Sequence, residues 1–231
     1  MSGTPYRPKG TSQALPPSRT MPISNAPKAL LVDLDGTLYR KRPLRWAMAR
    51  ELLLFGWRDL GLIRAFRQAH EELRERFRAE DDFELEDPFA AQLELAAKRL
   101  GLPASEREAQ AARVRLWMVE RPGRHLRRAR REDLAAELRQ ARADGTRLAL
   151  VSDYPARDKL RALELDELFE VVVASGEPDG PRTLKPNPGA FLLAAQRLGV
   201  APAHCQVLGD RPDADGEAAR RAGMDFRLIA D

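Results

Sequence analysis

Cysteine is nearly absent. Cys205 is the only one in 231 residues, so no internal disulfide can form and packing alone must hold the fold. It sits in the apolar run Cys205-Gln206-Val207-Leu208, which reads as a buried, inert thiol. No window reaches the roughly 18 uninterrupted apolar residues of a membrane span, and the first residues lack the apolar block of a secretory signal. A soluble, cytoplasmic protein is the expectation. Acidic residues are missing from residues 1–28, which hold Arg7, Lys9, Arg19 and Lys28. The formal charge of +4 therefore belongs to that segment, and the remaining 35 of the 39 basic residues balance the 35 acidic ones. A neutral body weakens any reading as a nucleic-acid binder. His70, His125 and His204 share no metal-ligand spacing, so packing or surface positions are expected for all three. Lysine is scarce as well: only six of the 39 basic residues are lysines, which makes each one mildly informative.

The length exceeds one average domain and falls short of two, which fits a core with a smaller insertion. Residues 1–27 contain six prolines and little that could form a core, and read as a disordered basic tail. The prolines oppose the amphipathic helix of an organellar transit peptide, and Met21 is an alternative start.

What is present is organised around Ala29-Leu30-Leu31-Val32-Asp33-Leu34-Asp35-Gly36-Thr37-Leu38. Four apolar residues run into two carboxylates one residue apart, as a buried parallel strand does where its carboxyl end opens into a polar loop. Ligands of open α/β sheets sit just beyond such ends. Three later apolar runs end in complementary chemistry. Leu148–Val151 leads to Ser152-Asp153, Glu170–Val173 to a loop carrying Lys185, and Cys205–Gly209 to Asp210, with Asp213 and Asp215 beyond. Taken singly, each has a plainer reading. Asp33 and Asp35 could be a turn or capping pair, Ser152 and Asp153 a helix cap, Lys185 a surface lysine and Asp213 a solvated residue at a helix start.

In order and content, Asp33-Leu34-Asp35-Gly36-Thr37-Leu38, Ser152, Lys185-Pro186-Asn187-Pro188-Gly189-Ala190-Phe191 and Gly209-Asp210-Arg211-Pro212-Asp213-Ala214-Asp215 resemble the four motifs of the haloacid dehalogenase superfamily of phosphatases. The resemblance covers about half the chain, residues 28–40 and 145–225. Alternating strands and helices predict an α/β fold, a Rossmann-like parallel sheet covered on both faces, with a core of residues 28–42 and 122–231. Residues 43–121 give no strand signal and predict an all-helical cap, the position at which the superfamily carries a lid. Its helices are expected to bury Leu52, Leu53, Phe55 and Leu60, with Trp46, Trp57 and Trp117 in the cap core. Ser105 is expected to cap the last cap helix, which runs to Trp117 and Val119, Arg121-Pro122-Gly123 to end the cap and return the chain to the core, and Pro155 to open the helix after Ser152.

The resemblance implies a magnesium-dependent phosphatase acting on a small phosphorylated metabolite. Asp33 would be the nucleophile that forms an aspartyl phosphate, and Asp35 the acid and base. One intervening residue keeps two strand carboxylates on one side. Gly36 would let the backbone turn close to the phosphate, which Ser152 and Lys185 would hold. Magnesium would bind the Asp33 carboxylate, the Asp35 backbone carbonyl and the Asp210 carboxylate, with Asp215 behind them. The superfamily often carries Asn where this chain has Asp153, so a substrate contact there stays open. A phosphomutase shares the four motifs, whereas a halide-releasing dehalogenase lacks the second aspartate. The reading from another class is a non-catalytic module on this fold that holds nucleic acid or anionic lipid. Its feature would be two basic segments, Arg40, Lys41, Arg42 and Arg45 where the cap begins and Arg121, Arg124, Arg127, Arg128, Arg130 and Arg131 where it ends. Folding should bring these together, either as a solvated hinge or as a collar that draws in anions.

Overall fold

A computed structural model describes residues 27–80 and 82–230. The expected tail of residues 1–27 lies, but for Pro27, outside the described residues.

The first strand, β1 (Ala29–Asp33), is buried along its whole length, as its unbroken apolar sequence requires. Its side chains alternate between two cores. Leu30 and Val32 join a cluster with Leu126, Leu134, Leu138 and Leu160, and Ala29 and Leu31 join one with Phe191, Leu198 and Ala218. Five helices follow: α1 (Lys41–Phe55), α2 (Leu60–Ala79), α3 (Pro88–Arg99), α4 (Arg107–Arg115) and α5 (Arg121–Ala129). Then α6 (Glu132–Ala143), β2 (Arg147–Ser152), α7 (Arg157–Leu163), β3 (Val171–Ala174), α8 (Gly189–Leu198), β4 (Cys205–Gly209), α9 (Glu217–Arg221) and β5 (Asp225–Leu228) alternate to the end.

The five strands pair in parallel in the order β3-β2-β1-β4-β5. Strand order reverses at β1, which pairs with β2 on one side and β4 on the other, so a crevice opens beyond the ends of β1 and β4. All five strands run the same way, and the loops after Asp33, Ser152, Ala174 and Gly209 therefore meet at one edge.

Helices α2 and α3 pack on one another, and Phe66, Ala69, Phe89, Ala96 and Val114 form a core of their own that reaches Tyr154 in the loop after β2. The outgoing and returning chain are laced together. Tyr39 bridges Arg130 in antiparallel fashion, Arg40 N donates to Ala129 O at 2.8 Å, and Arg131 N donates to Leu38 O at 3.0 Å. The two basic segments meet there, as expected. The expected boundaries at 42/43 and 121/122 fall inside α1 and at the start of α5.

Several local expectations are corrected. Trp117 is buried, but Trp46 and Trp57 are 78% and 63% exposed, and Leu53, Phe55 and Leu60 also face outward. Apolar composition called for burial there, yet α1 has no buried residue, because the elements that chiefly pack against it, α5 and the turn into α2, leave its outer side uncovered. Ser105 sits inside a short 3₁₀ turn, Ala104–Glu106, so α4 begins at Arg107 without a side-chain cap. Arg121-Pro122-Gly123 continues the helical run rather than ending it, since a wider turn at Leu116–Glu120 leads directly into α5, and proline is tolerated in a first turn. Pro155 lies ahead of α7, which starts at Arg157. The acidic run before α3 contributes a cap: Asp87 Oδ1 accepts from Phe89 N at 2.8 Å and Ala90 N at 3.1 Å.

Candidate active site

Asp33 ends β1 in a buried position, and its carboxylate is held from both sides. Lys185 Nζ donates to Oδ1 at 2.5 Å and Thr37 Oγ1 to Oδ2 at 2.9 Å. Thr37 reaches back because the chain turns at once, Leu38 N donating to Leu34 O at 3.1 Å, with Gly36 at φ +107°. A side chain at Gly36 would collide with Lys41 and the Asp210 carboxylate, so the turn requires glycine.

Lys185 is itself clamped. Its N–H donates to Asp153 Oδ1 at 3.1 Å, and its carbonyl accepts from the buried Arg74 of α2 at 2.9 Å. Its Nζ also donates to Asp215 Oδ1 at 2.7 Å, while Asp215 Oδ2 accepts from Arg211 N at 3.1 Å. Asp215 is 1% exposed and packs so closely under β4 that a side chain at Gly209 would overlap it. Asp210 pairs with Lys41 of α1.

Oxygens of Asp33, Asp210 and Asp215 all lie within 4.8 Å of one another. Three carboxylates are balanced there by two ammonium groups, Lys185 and Lys41. Burial, with Asp215 adding to it and Lys185 opposing it, pushes the Asp33 carboxyl up to about 6. Burial raises Asp210 as well, with Asp33 adding and Lys41 opposing. Lys185 stays protonated, because Asp215 and Asp33 outweigh the effect of its burial. This hard, oxygen-only donor set with a surplus of negative charge fits a magnesium ion.

The Asp35 carboxylate is engaged elsewhere. Lys159 of α7 donates to Oδ1 at 2.6 Å and Oδ2 at 2.9 Å, and Tyr39 Oη donates to Oδ1 at 2.5 Å. Burial pushes Asp35 up, but the charge and hydrogen bonds of Lys159 and the bond from Tyr39 together hold it below the ordinary carboxylate range. Asp33 and Asp35 still line one cavity of 1170 Å³, together with Ser152, Lys185, Asp210 and Asp215. Ser152 is 2% exposed, and its Oγ accepts from Tyr154 N at 3.1 Å in a tight local turn. It does not cap α7, whose preceding residue is Ala156. Asp213 is half exposed and pairs with Arg211. His70 is buried, stacks on Tyr154 at 4.7 Å between ring centres and lies 3.2 Å from Gln92 Oε1, a packing position at the cavity wall.

Sequence reasoning gave no role to Thr37, Tyr39, Arg74 or Lys159, and named Lys41 only as part of the basic segment where the cap begins. One signal was available: Lys41, Lys159 and Lys185 are three of only six lysines, and all three meet a carboxylate of this site. Arg74 carried no such signal, since arginine is everywhere in the sequence.

A doubly wound parallel sheet gathers acid, hydroxyl and lysine at its switch point, where α/β proteins of this class bind their ligands. Residues 27–223 match the family model of haloacid dehalogenase-like hydrolases, and the chain belongs to that family. A phosphoserine phosphatase of Thermus thermophilus is 30% identical over 221 residues, covering 85% of this chain and 86% of that one. A glyceraldehyde 3-phosphate phosphatase of Methanopyrus kandleri is 40% identical over 95 residues, 40% of each chain. For three of the curated phosphatases the match spans only 33–44% of their length. Among solved structures, a phosphatase of the same family from Thermococcus onnurineus superposes with a TM-score of 0.52 at 25% identity, covering 87% of this chain and 85% of that one. The L-2-haloacid dehalogenase of Xanthobacter autotrophicus shares the fold, with a TM-score of 0.55 at 23% identity over 87% of this chain and 77% of that one.

Proposed function

We propose that this chain is a magnesium-dependent phosphatase that hydrolyses a small phosphorylated metabolite through an aspartyl phosphate on Asp33. The observation that carries the reading is the pair of carboxylates in one cavity with different partners. Asp33 is held by Lys185 and Thr37 beside Asp210 and Asp215, and Asp35 is held by Lys159 and Tyr39.

A phosphate dianion repels an approaching carboxylate, and uncatalysed monoester hydrolysis is so slow that an enzyme can accelerate it by up to about 10²¹. Magnesium held by the Asp33 and Asp210 carboxylates and the Asp35 backbone carbonyl, with Asp215 beside them, would supply the positive charge that lets the two anions meet. Lys185 adds a fixed ammonium, and the Ser152 hydroxyl donates to a phosphate oxygen. An Asp33 oxygen bonds to phosphorus as the ester P–O bond breaks, and Asp35 gives the leaving alkoxide its proton. Water then attacks phosphorus, the bond to Asp33 breaks, and Asp35 takes the water's proton. Such proton transfer is typically worth about 10² to 10⁴ in rate. Asp35 is ionised in the free protein; as a phosphate dianion arrives and raises its proton affinity it takes up a proton from solvent, gives that proton to the alkoxide, and returns the proton later taken from water to solvent.

The cap side of the cavity carries Arg45, Arg64 and Arg67, none paired with a carboxylate among the described residues. They favour a leaving group that bears a second anionic group. The test is hydrolysis of para-nitrophenyl phosphate and of a panel of phosphorylated metabolites, with magnesium or with chelator. Expected is magnesium-dependent phosphate release, lost by about 10³-fold or more in Asp33→Asn with an unchanged circular dichroism spectrum. Turnover by that variant within tenfold of the parent, or isomerised sugar phosphate in place of free phosphate, would overturn the reading.

A further inference from the structure

We infer that the outer face of α1, with the turn that follows it, is a docking surface for an anionic lipid bilayer. Nothing in this inference depends on the catalytic reading. At 100° per residue, Leu44, Met48 and Leu52 lie on one side of α1 and line the cavity. Arg42, Trp46, Arg50 and Leu53 lie on the other side. Among the described residues nine large apolar side chains are exposed, and six of them fall within residues 46–60. Trp46, Leu53, Leu54, Phe55 and Trp57 are 61–78% exposed: Trp46 and Leu53 stand on the outer face of α1, and Leu54, Phe55 and Trp57 gather at its C-terminal end and in the turn beyond, a concentration of exposed apolar side chains of the kind that marks an interaction site.

The charge on this surface identifies the occupant. Arg42, Arg50 and Arg58 pair with no carboxylate among the described residues, and Arg58 lies over the Trp57 ring. Only two acids lie between residues 40 and 60, and both are engaged. Glu51 accepts from Arg121 and lies 2.7 Å from His125, and Asp59 accepts from Arg113 and from Trp117 Nε1. The exposed surface is thus apolar and cationic with no free anion. A second copy docking by two-fold symmetry would set arginine against arginine, which disfavours self-association. Tryptophan, leucine and phenylalanine flanked by arginine is the composition of helices that lie in the headgroup region of anionic membranes. Each arginine at such a surface contributes about fivefold in partitioning, so Arg42, Arg50 and Arg58 together contribute about a hundredfold.

The test is co-sedimentation of the full chain with vesicles of phosphatidylcholine alone and of phosphatidylcholine mixed with phosphatidylglycerol. The expected result is binding to the anionic vesicles that weakens with salt, with at least tenfold loss in Trp46→Ser/Leu53→Ser and in Arg42→Gln/Arg50→Gln. Leu192→Ser, at an exposed apolar position elsewhere, should bind as the parent does. None of the four altered residues lines the cavity, so circular dichroism and para-nitrophenyl phosphate turnover without vesicles should be unchanged and verify the fold. Failure to bind anionic vesicles overturns the inference, as does equal binding by the parent and the Trp46/Leu53 variant. A dimer that the same variant dissolves, without vesicle binding, assigns the face to a second copy and overturns it too.

Discussion

Lys159 donates to both oxygens of Asp35 across 124 residues of sequence, at 2.6 and 2.9 Å. The lysine is buried, whereas the Asp35 side chain is 25% exposed toward the cavity. A two-pronged contact fixes the carboxylate's rotation and leaves its open edge to the substrate, which makes Lys159 a positioning residue.

Lys159→Met should therefore lower kcat by about 10- to 100-fold while shifting KM little, a fraction of what general acid catalysis supplies. Lys159→Arg should recover part of the loss, because the charge and donors remain. The substitution to Met leaves Asp35 with Tyr39 alone, at a stability cost of about 1–3 kcal/mol, toward the lower end because solvent reaches the carboxylate. Steady-state kinetics and urea unfolding of both variants check this, and a uniform rise in KM at constant kcat would assign Lys159 to substrate binding instead.

Lys185 bridges two buried carboxylates, so its removal should cost more than removal of either partner. Lys185→Met leaves Asp33 and Asp215 facing each other without a cation, and a loss of about 3–5 kcal/mol is expected with chelator present. Asp33→Asn should cost less, since the amide oxygen still accepts from Lys185. The double variant should be more stable than the sum of the two losses implies, and denaturant midpoints of the cycle measure that coupling. Strict additivity would mean that the contact carries no energy.

The core of this fold was legible because its signals are local. Ala29–Asp33 and Cys205–Gly209 are short apolar runs ending in acids, and a parallel sheet buried on both faces demands such runs. Asp33, Asp210 and Asp215 were legible for the same reason: Asp33 ends β1, Asp210 follows β4 directly, and Asp215 lies in the turn just beyond. Lys159 was not, because it lies on an ordinary helix and its partner is fixed only by how α7 packs beneath the first loop. Trp46 and Trp57 misled in the opposite sense. Apolar composition reports what a residue would gain from burial, but whether another element exists to cover it is a tertiary fact. Ser105 misled because a 3₁₀ turn can precede a helix and displace its start from the best capping residue.

Cys205 should be nearly unreactive in the folded protein. It is 3% exposed, and burial pushes its thiol up to about 11, so near pH 8 its thiolate fraction is about a hundredfold below that of an ordinary cysteine. Labelling by iodoacetamide should be slower by at least that factor than in urea, and should rise in step with global unfolding. Rapid labelling under native conditions would place the start of β4 in solvent.

His70 should make the protein acid-sensitive. Burial lowers its pKa, with Arg74 acting in the same direction and Asp153 and the Gln92 hydrogen bond opposing. The folded state therefore keeps His70 neutral at a pH where the unfolded chain already binds a proton. Above the unfolded value of about 6.5 the residue costs nothing; as pH falls below it, stability declines by up to about 1.4 kcal/mol per pH unit until the folded pKa is reached. His70→Gln keeps a hydrogen-bonding side chain and cannot titrate. The stability difference between parent and variant, from urea unfolding at about pH 7 and about pH 5, should move in the variant's favour at the lower value. Because carboxylates remote from His70 titrate alike in both proteins, an unchanged difference would mean that His70 protonates freely in the fold, and the packing described for its ring against Tyr154 and Gln92 would be wrong.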